Sequence, residues 1–419
     1  MKVLVSAFAC RPDQGSEHGV GWGWVRMLAE NHQVFVVTNA MNRPFIEQSR
    51  DIKAQFFYVS DRYLRPLVYL GLPGEYLYYY FWQIKAYFLV RRLAQTSFFD
   101  ISHHLTISTF KIPSFLSLIP VPFVWGPLGG GERIPRSIAQ RIRLSCLERI
   151  RYYLHSLWLW VPGVRLTARR AASILVANDS TLDSLPRQYR QKCSVMSNLA
   201  VDIVPPNTAA ERPGHERVTI LYVGHLLAGK GLELLIRAAG QINTTVPWSI
   251  LMVGDGKHRS YLQDLAGGLG LNDRIKFLGS VPHSEVSSCY QLADIFCFPS
   301  LRDSGGTVLL EAMASALPVV CLNLGGPAHI VDDSCGIRIN PWDLDVTVDS
   351  LARALTNLVE SSAMRLNLGA AARARIEKHF TWHAKSRDVL ALYNGLVATS
   401  SSSTDKQRCS TEPSTPEVE

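Results

Sequence analysis

Short apolar runs alternate with helix-patterned stretches along most of the chain, and the alternation breaks once and restarts. The first series reads KVLVSAFA, a Gly-rich loop, GWGWVRMLAEN with helical spacing, QVFVVTNA, then QFFYVS, DISHHL, PFVWG and SILVAND. The second reads VTILYVG, a helix over Leu232–Ile242, WSILMVGDG, RIKFLG, IFCFPS, LPVVCLN and GIRI. Strands this short and this continuously apolar are buried on both faces, and helices between them make parallel crossovers. The pattern predicts an α/β chain with two doubly wound parallel sheets. Prolines and polar residues over Val204–Pro213 (VPPNTAAERP) mark the division, giving a first domain over 1–203 and a second over 204–378. In such pairs of domains the ligand sits at the carboxyl ends of the strands, here the cleft between the halves.

Composition narrows the class. With 419 residues, 47% hydrophobic and 19% charged, the chain reads as a soluble globular protein. From 399 it turns to Ser, Thr, Pro and charge, which bury too little apolar surface to offset the entropy of ordering, so a disordered tail is expected over 399–419. Eight cysteines without a CxxC pair suggest neither a zinc ribbon nor a disulfide framework, and fit a reducing cytoplasmic interior. The opening MKVLVSAFAC is too short for a signal peptide and reads as a first strand. The net charge of +8 is uneven: residues 1–200 hold 24 Lys and Arg against 12 Asp and Glu. Within that basic half, 61–92 (DRYLRPLVYLGLPGEYLYYYFWQIKAYFLVRR) and 141–170 mix aromatics with Arg. Pro66, Pro73, Gly74, Glu75 and Lys85 interrupt the first, so it is not a membrane span. Aromatics beside cations suit an interfacial surface on an anionic bilayer, peripheral on the inner face of the plasma membrane; the other reading is core aromatics under a solvated basic face. No RNA-binding motif accompanies the segment, so no nucleic acid is expected.

Two loops carry chemistry. In YVGHLLAGKGLELL (222–235) a strand runs into Gly224, His225, Lys230 and a helix, which offers a cation and free amides to a phosphate. In LRDSGGTVLLEAMASALP (301–318) the glycine pair opens a helix whose first turn exposes the amides near Gly305, Gly306 and Thr307. Glu311 follows on that helix among small residues, where a carboxylate can accept two ribose hydroxyls. Taken singly, each loop is equally a Gly turn with a solvated Lys, or a capped helix with an incidental acid.

The ordered series VGHLLAGKG, MVGDG, FLGSVP, DIFCFPS, DSGGTVLLEAMASALPVV and GGPAHIV resembles the C-terminal half of glycosyltransferase family 4, the group 1 retaining transferases of GT-B fold. That fold is two Rossmann-like domains facing a central cleft. The resemblance implies a diphosphate-binding role for Lys230, with His225 where the family usually has Arg, and nucleotide-base contacts at Leu278 and Gly279. It places Glu311 on the ribose, Asp303 on a donor-sugar hydroxyl, and the amides of Gly305–Thr307 on the sugar and β-phosphate. The family's motif is two Glu separated by seven residues; Asp303 takes the first place, and being one methylene shorter it points to an altered sugar position or preference. In the first half, Gly15, Ser16 and Glu17 within RPDQGSEHGVGWGW (11–24) stand where the family's Gly-Gly loop approaches donor and acceptor. Asp100, His103 and His104 in FFDISHHLTISTF resemble its Asp–x–x–His segment. Adjacent residues of a strand face opposite ways, so one histidine is expected in the cleft, His103 by alignment with His104 open, and a structural role stays open for either. PFVWGPLGGGER puts Gly129–Gly131 near a ligand, with Glu132 and Arg133 lining an acceptor site or belonging to a flexible loop. FTWHAKSRDVLALY looks like the final helix of the fold, expected over 379–398 and bracing the first domain.

The expected activity is transfer of a sugar from a nucleotide diphosphate donor to a hydroxyl, with a lipid-linked or other saccharide acceptor of envelope or exopolysaccharide synthesis. Catalytic work would fall to His103, His104, Lys230 and Asp303, with no cofactor beyond the donor and no metal, because Lys230 and helix N-termini would meet the leaving diphosphate. Asp343-Leu-Asp345 reads as a loop or cap. A sugar-nucleotide epimerase and a non-catalytic sugar-nucleotide-binding subunit are the alternatives. The missing GxGxxG makes a dehydrogenase a weak one.

Overall fold

Thirteen strands carry the described architecture of the computed structural model, which describes residues 1–12, 15–49, 52–60, 62–142, 161–203 and 217–409. The first sheet holds β1 (Lys2–Ser6), β2 (Gln33–Asn39), β3 (Ala54–Val59), β4 (Ile101–His104), β5 (Phe123–Leu128), β6 (Ser173–Val176) and β7 (Cys193–Val195), in the order β3-β2-β1-β4-β5-β6-β7. The second holds β8 (Val218–Val223), β9 (Trp248–Val253), β10 (Ile275–Gly279), β11 (Ile295–Phe298), β12 (Val319–Leu322) and β13 (Gly336–Ile339), in the order β10-β9-β8-β11-β12-β13. Their ladders are parallel. In each sheet the strand order reverses beside the first strand, which opens a crevice at its carboxyl end. This is the GT-B arrangement. The expected boundary over 204–213 lies outside the described residues.

The cleft and its supports are built from α1 (Ser16–Asn31), α2 (Leu72–Thr96), α3 (Asp179–Ser184), α4 (Leu232–Ala239), α5 (Thr307–Ala314), α6 (Gly325–Ile330) and α7 (Trp382–Cys409). The glycine-rich stretch over 11–24 is not mainly loop, since α1 begins at Ser16. Its glycines allow close packing instead. A Cβ on Gly21 would lie 2.0 Å from the Ala9 carbonyl oxygen, and one on Gly23 would lie 2.0 Å from the Trp382 ring. The last helix also runs further than expected, to Cys409, because its backbone ladder continues into the Ser-rich segment; 410–419 lie outside the described residues. Asp343 caps the helix Leu344–Glu360, its carboxylate accepting from the Val346 amide at 3.0 Å.

The two chain crossovers between the domains are tied together and to α1. Val201 N donates to the Phe380 carbonyl at 2.9 Å, and Trp24 Nε1 donates to the Asn198 carbonyl at 2.8 Å. Lys385, on α7, reaches the Ser197 carbonyl with its ammonium over the Trp24 ring. Burial lowers its pKa to about 7, the charge of Asp388 opposing only part of the fall.

Strand β4 shows the sheet's alternation directly. His103 points toward α1 and α7, where Nε2 bonds the Gly126 carbonyl at 2.7 Å and Nδ1 meets the Tyr393 hydroxyl. Those partners define a neutral ring: Nε2–H donates and Nδ1 accepts from the hydroxyl. His104 points to the opposite face, 3.5 Å from the Tyr79 hydroxyl on α2. Both are buried, and burial lowers the pKa of His103 to about 3 and of His104 to about 4.

In the unfolded chain these histidines take a proton near the ordinary value of 6.5, whereas folded His103 does so only near 3. Their contribution to stability is therefore complete above about pH 6.5 and is lost as pH falls toward 3. Urea unfolding midpoints between these limits should fall more steeply for the wild type than for His103→Gln. Parallel curves would contradict the neutral buried ring.

Candidate functional site

The segment 303–306, after β11, is seated between glycine loops of both domains. On one side, Gly326 N donates to the Asp303 carbonyl at 2.8 Å, and a Cβ on Gly326 would lie 2.5 Å from the Gly305 nitrogen. On the other, a Cβ on Gly129 would lie 2.5 Å from Ser304 Oγ. Side chains at either glycine would push the segment out. Gly306, at φ 104°, takes the left-handed conformation that turns the chain into α5, so the amides of the first turn end at this seam.

Lys230 arrives from the turn between β8 and α4. Gly231, at φ 67°, makes that turn, and a Cβ there would lie 2.0 Å from the Pro299 carbonyl oxygen. The Lys230 ammonium sits 2.6 Å from Asp303 Oδ2, while Asp303 Oδ1 accepts from Gly305 N at 3.3 Å. With side chains only 26% and 14% exposed, this pair is poorly screened, and each charge depends on the other. Five of the expected donor-site residues thus converge: Lys230, Asp303, Gly305, Gly306 and Thr307. Glu311 lies one turn further along α5, half-buried, its Oε2 accepting from the Tyr290 hydroxyl at 2.8 Å. Gly224 closes the β8 turn at φ 146°, and the side chain of His225 is exposed while its carbonyl accepts from the Tyr222 hydroxyl at 3.0 Å. Leu278 is exposed at the end of β10, and the Gly279 carbonyl accepts from Gly254 N at 2.8 Å.

The first domain contributes less than the sequence suggests through some residues and more through others. Neither His103 nor His104 reaches the cleft: the expectation that one would is corrected by their enclosure on the two faces of the sheet. Gly15 is exposed as the N-cap of α1, and Ser16 opens that helix. Glu17 is committed internally. Its carboxylate accepts the amides of Ile107 at 3.2 Å and Ser108 at 3.3 Å, holding Ile107 at φ 58°, a strained conformation for a β-branched residue. Burial raises the Glu17 pKa, and those two amides oppose the rise.

Glu132 is also occupied rather than open to an acceptor. It accepts from Gly130 N at 3.0 Å, Asn178 Nδ2 at 2.7 Å and Thr181 Oγ1 at 3.1 Å. Arg133 beside it is exposed. Asn178 was not legible as a site residue: its place before DSTLDS signals only a helix N-cap. The structure gives it a second task, since Nδ2 also donates to the Ser304 carbonyl across the domain interface at 3.1 Å.

The model of the family "Glycosyl transferases group 1" matches residues 206–375. The D-inositol 3-phosphate glycosyltransferase of Corynebacterium diphtheriae is 32% identical over 244 residues, 53% of this chain and 56% of that protein. An uncharacterized glycosyltransferase of Methanocaldococcus jannaschii is 31% identical over 175 residues, 42% of this chain and 44% of that protein. The chain spans about half the length of the curated relatives it matches. In fold, it is similar to Anabaena HepE in complex with UDP, with a TM-score of 0.64, 18% identity, and coverage of 94% of this chain and 100% of that one. Residues 206–375, which carry the second of the two parallel sheets, are thus similar to the group 1 glycosyl transferases, and the whole chain is similar in fold to a solved structure with UDP bound.

Proposed function

We propose that the protein is a retaining glycosyltransferase that moves a sugar from a nucleotide diphosphate donor to a hydroxyl of a lipid-linked saccharide. The observation that carries the reading is the meeting of Lys230 with the N-terminus of α5 at the mouth of the two sheets. Breaking the glycosidic bond leaves negative charge on the diphosphate, and fixed donors aimed at that charge are the largest electrostatic help a protein can supply. Asp303 holds the Lys230 ammonium in place, and a diphosphate would take over that cation. Glu311, already accepting one bond from Tyr290, keeps a second oxygen for a ribose hydroxyl. The relatives' names, which include a D-inositol 3-phosphate glycosyltransferase, support sugar transfer to a hydroxyl.

The acceptor side of the reading draws on α2, the turn before it and the residues just after it. Tyr63, Tyr69, Leu70, Leu77, Phe81, Phe88 and Phe98 are exposed there, Tyr69 at 91% and Phe98 at 92%. Arg62, Arg65, Arg91 and Arg92 are exposed among them. No described helix is long and apolar enough to cross a membrane. An apolar face rimmed by cations suits the interface of an anionic bilayer, where a lipid-linked acceptor would be met. The second basic-aromatic segment, 141–170, lies for the most part outside the described residues.

Two outcomes are expected. Among labelled nucleotide sugars incubated with membrane extract, one should be transferred to lipid, and Lys230→Ala should lower kcat/KM about 100-fold or more. Turnover of the donor to a new nucleotide sugar without acceptor would favour an epimerase, and Lys230→Ala behaving as wild type would remove the donor site. Sedimentation with vesicles should require anionic lipid, and the triple change of Tyr69, Phe81 and Phe88 to Ser should weaken binding at least about tenfold, each apolar side chain contributing on the order of 1.5 kcal/mol. Equal binding by the triple variant would exclude this face.

A further inference from the structure

We propose that Asn178 is a positioning residue for the donor diphosphate, aiming the Gly305 amide from across the domain interface, with Glu132 and Thr181 fixing its own orientation. The proposal rests on the donor-site reading.

The Asn178 side chain is fully buried and has one available orientation. Its Oδ1 accepts from Thr181 N at 3.0 Å, which leaves Nδ2 facing two oxygens, Glu132 Oε1 at 2.7 Å and the Ser304 carbonyl at 3.1 Å. A flipped amide would set its N–H groups against the Thr181 amide and its oxygen against two acceptors. Glu132 is held in turn. Thr181 Oγ1 donates to Oε1 at 3.1 Å while accepting from Gly131 N at 3.3 Å, and Gly130 N donates to Oε2 at 3.0 Å. The first domain therefore presents a single fixed N–H at the seam.

What that N–H grips is a carbonyl, and a peptide unit is planar and trans. Drawing the Ser304 C=O toward the first domain turns the N–H of the same unit, that of Gly305, the opposite way. There it meets Asp303 Oδ1 at 3.3 Å, and Asp303 Oδ2 is the partner of Lys230. The amide and the ammonium thus share one carboxylate, on the side away from Asn178. A diphosphate oxygen replacing that carboxylate would meet both donors without the loop having to move. The domain that carries no expected donor contact at this point would set the angle of one.

The experiment separates the cap from the interdomain bond. Asn178→Ser and Asn178→Asp each keep an acceptor for the Thr181 amide and lose the N–H that reaches Ser304, the Asp variant also setting a carboxylate against Glu132. Dissociation constants are measured by calorimetry for the nucleoside diphosphate that wild type binds best among UDP, GDP and ADP, and for the matching monophosphate. Melting temperatures are recorded alongside. Both variants should bind the diphosphate about tenfold more weakly, the effect of one oriented donor to a charged group, while the monophosphate constant stays at the wild-type value; the melting temperature falls in both, because Glu132 and the Ser304 carbonyl lose a buried donor, and further in the Asp variant. Unchanged diphosphate binding would overturn the proposal, and so would equal losses for diphosphate and monophosphate, which mark a general structural defect. A wild type that binds none of the nucleotides would instead sink the donor-site reading itself, and the positioning role with it.

Discussion

The constraint on which the rest depends is the close seating of residues 303–306 against glycines of both domains. The Ser304 side chain packs against Gly129 of one domain, and the backbone of Asp303 and Gly305 lies within 2.5 Å of where Cβ atoms on Gly325 and Gly326 of the other would stand. Close approach of this kind lets main-chain amides, rather than flexible side chains, form the wall of the cleft. It also explains why the cation and its carboxylate are so near. Lys230 and Asp303 are separated by 73 positions in sequence, and the turns at Gly231 and Gly306 bring them to 2.6 Å.

Around that seam the first domain is organised by carboxylates that serve its own backbone. Glu17 fixes the strained Ile107–Ser108 turn, Glu132 fixes the Gly129–Gly131 loop, and Gly129 N closes the circuit by donating to the Ser108 carbonyl at 2.9 Å. Acids beside glycine-rich loops are readily taken for ligand contacts. Here each is engaged by amides, which fixes the loop geometry without placing charge in the cleft.

The two sheets were legible because fully buried parallel strands write themselves as unbroken apolar runs, from VLVS in β1 to FCF in β11. That Lys230 and the Gly305–Gly306 turn would matter to one another was legible for a related reason: a glycine pair opening a helix, and a lysine after a strand, need no distant partner to be noticed. What depended on distant partners was not. His103 satisfies both ring nitrogens with Gly126 and Tyr393, the latter 290 positions away, and no local pattern announces that. Asn178 looks like an ordinary cap until Ser304, 126 positions on, is folded against it. The helix over GWGWVRMLAEN is present as expected, but it starts five residues earlier, at Ser16, because the close approach of Ala9 and Trp382 to its glycines outweighs the cost of glycine in a helix.

The central claim is that the amides opening α5 receive the donor diphosphate, and hydrogen–deuterium exchange over 303–310 tests it most directly. On addition of the nucleotide sugar that supports turnover, exchange in this segment should slow together with the Lys230 turn, while the β4 strand, already enclosed, stays unchanged. Bound nucleotide sugar with no change in exchange over 303–310 would contradict the account.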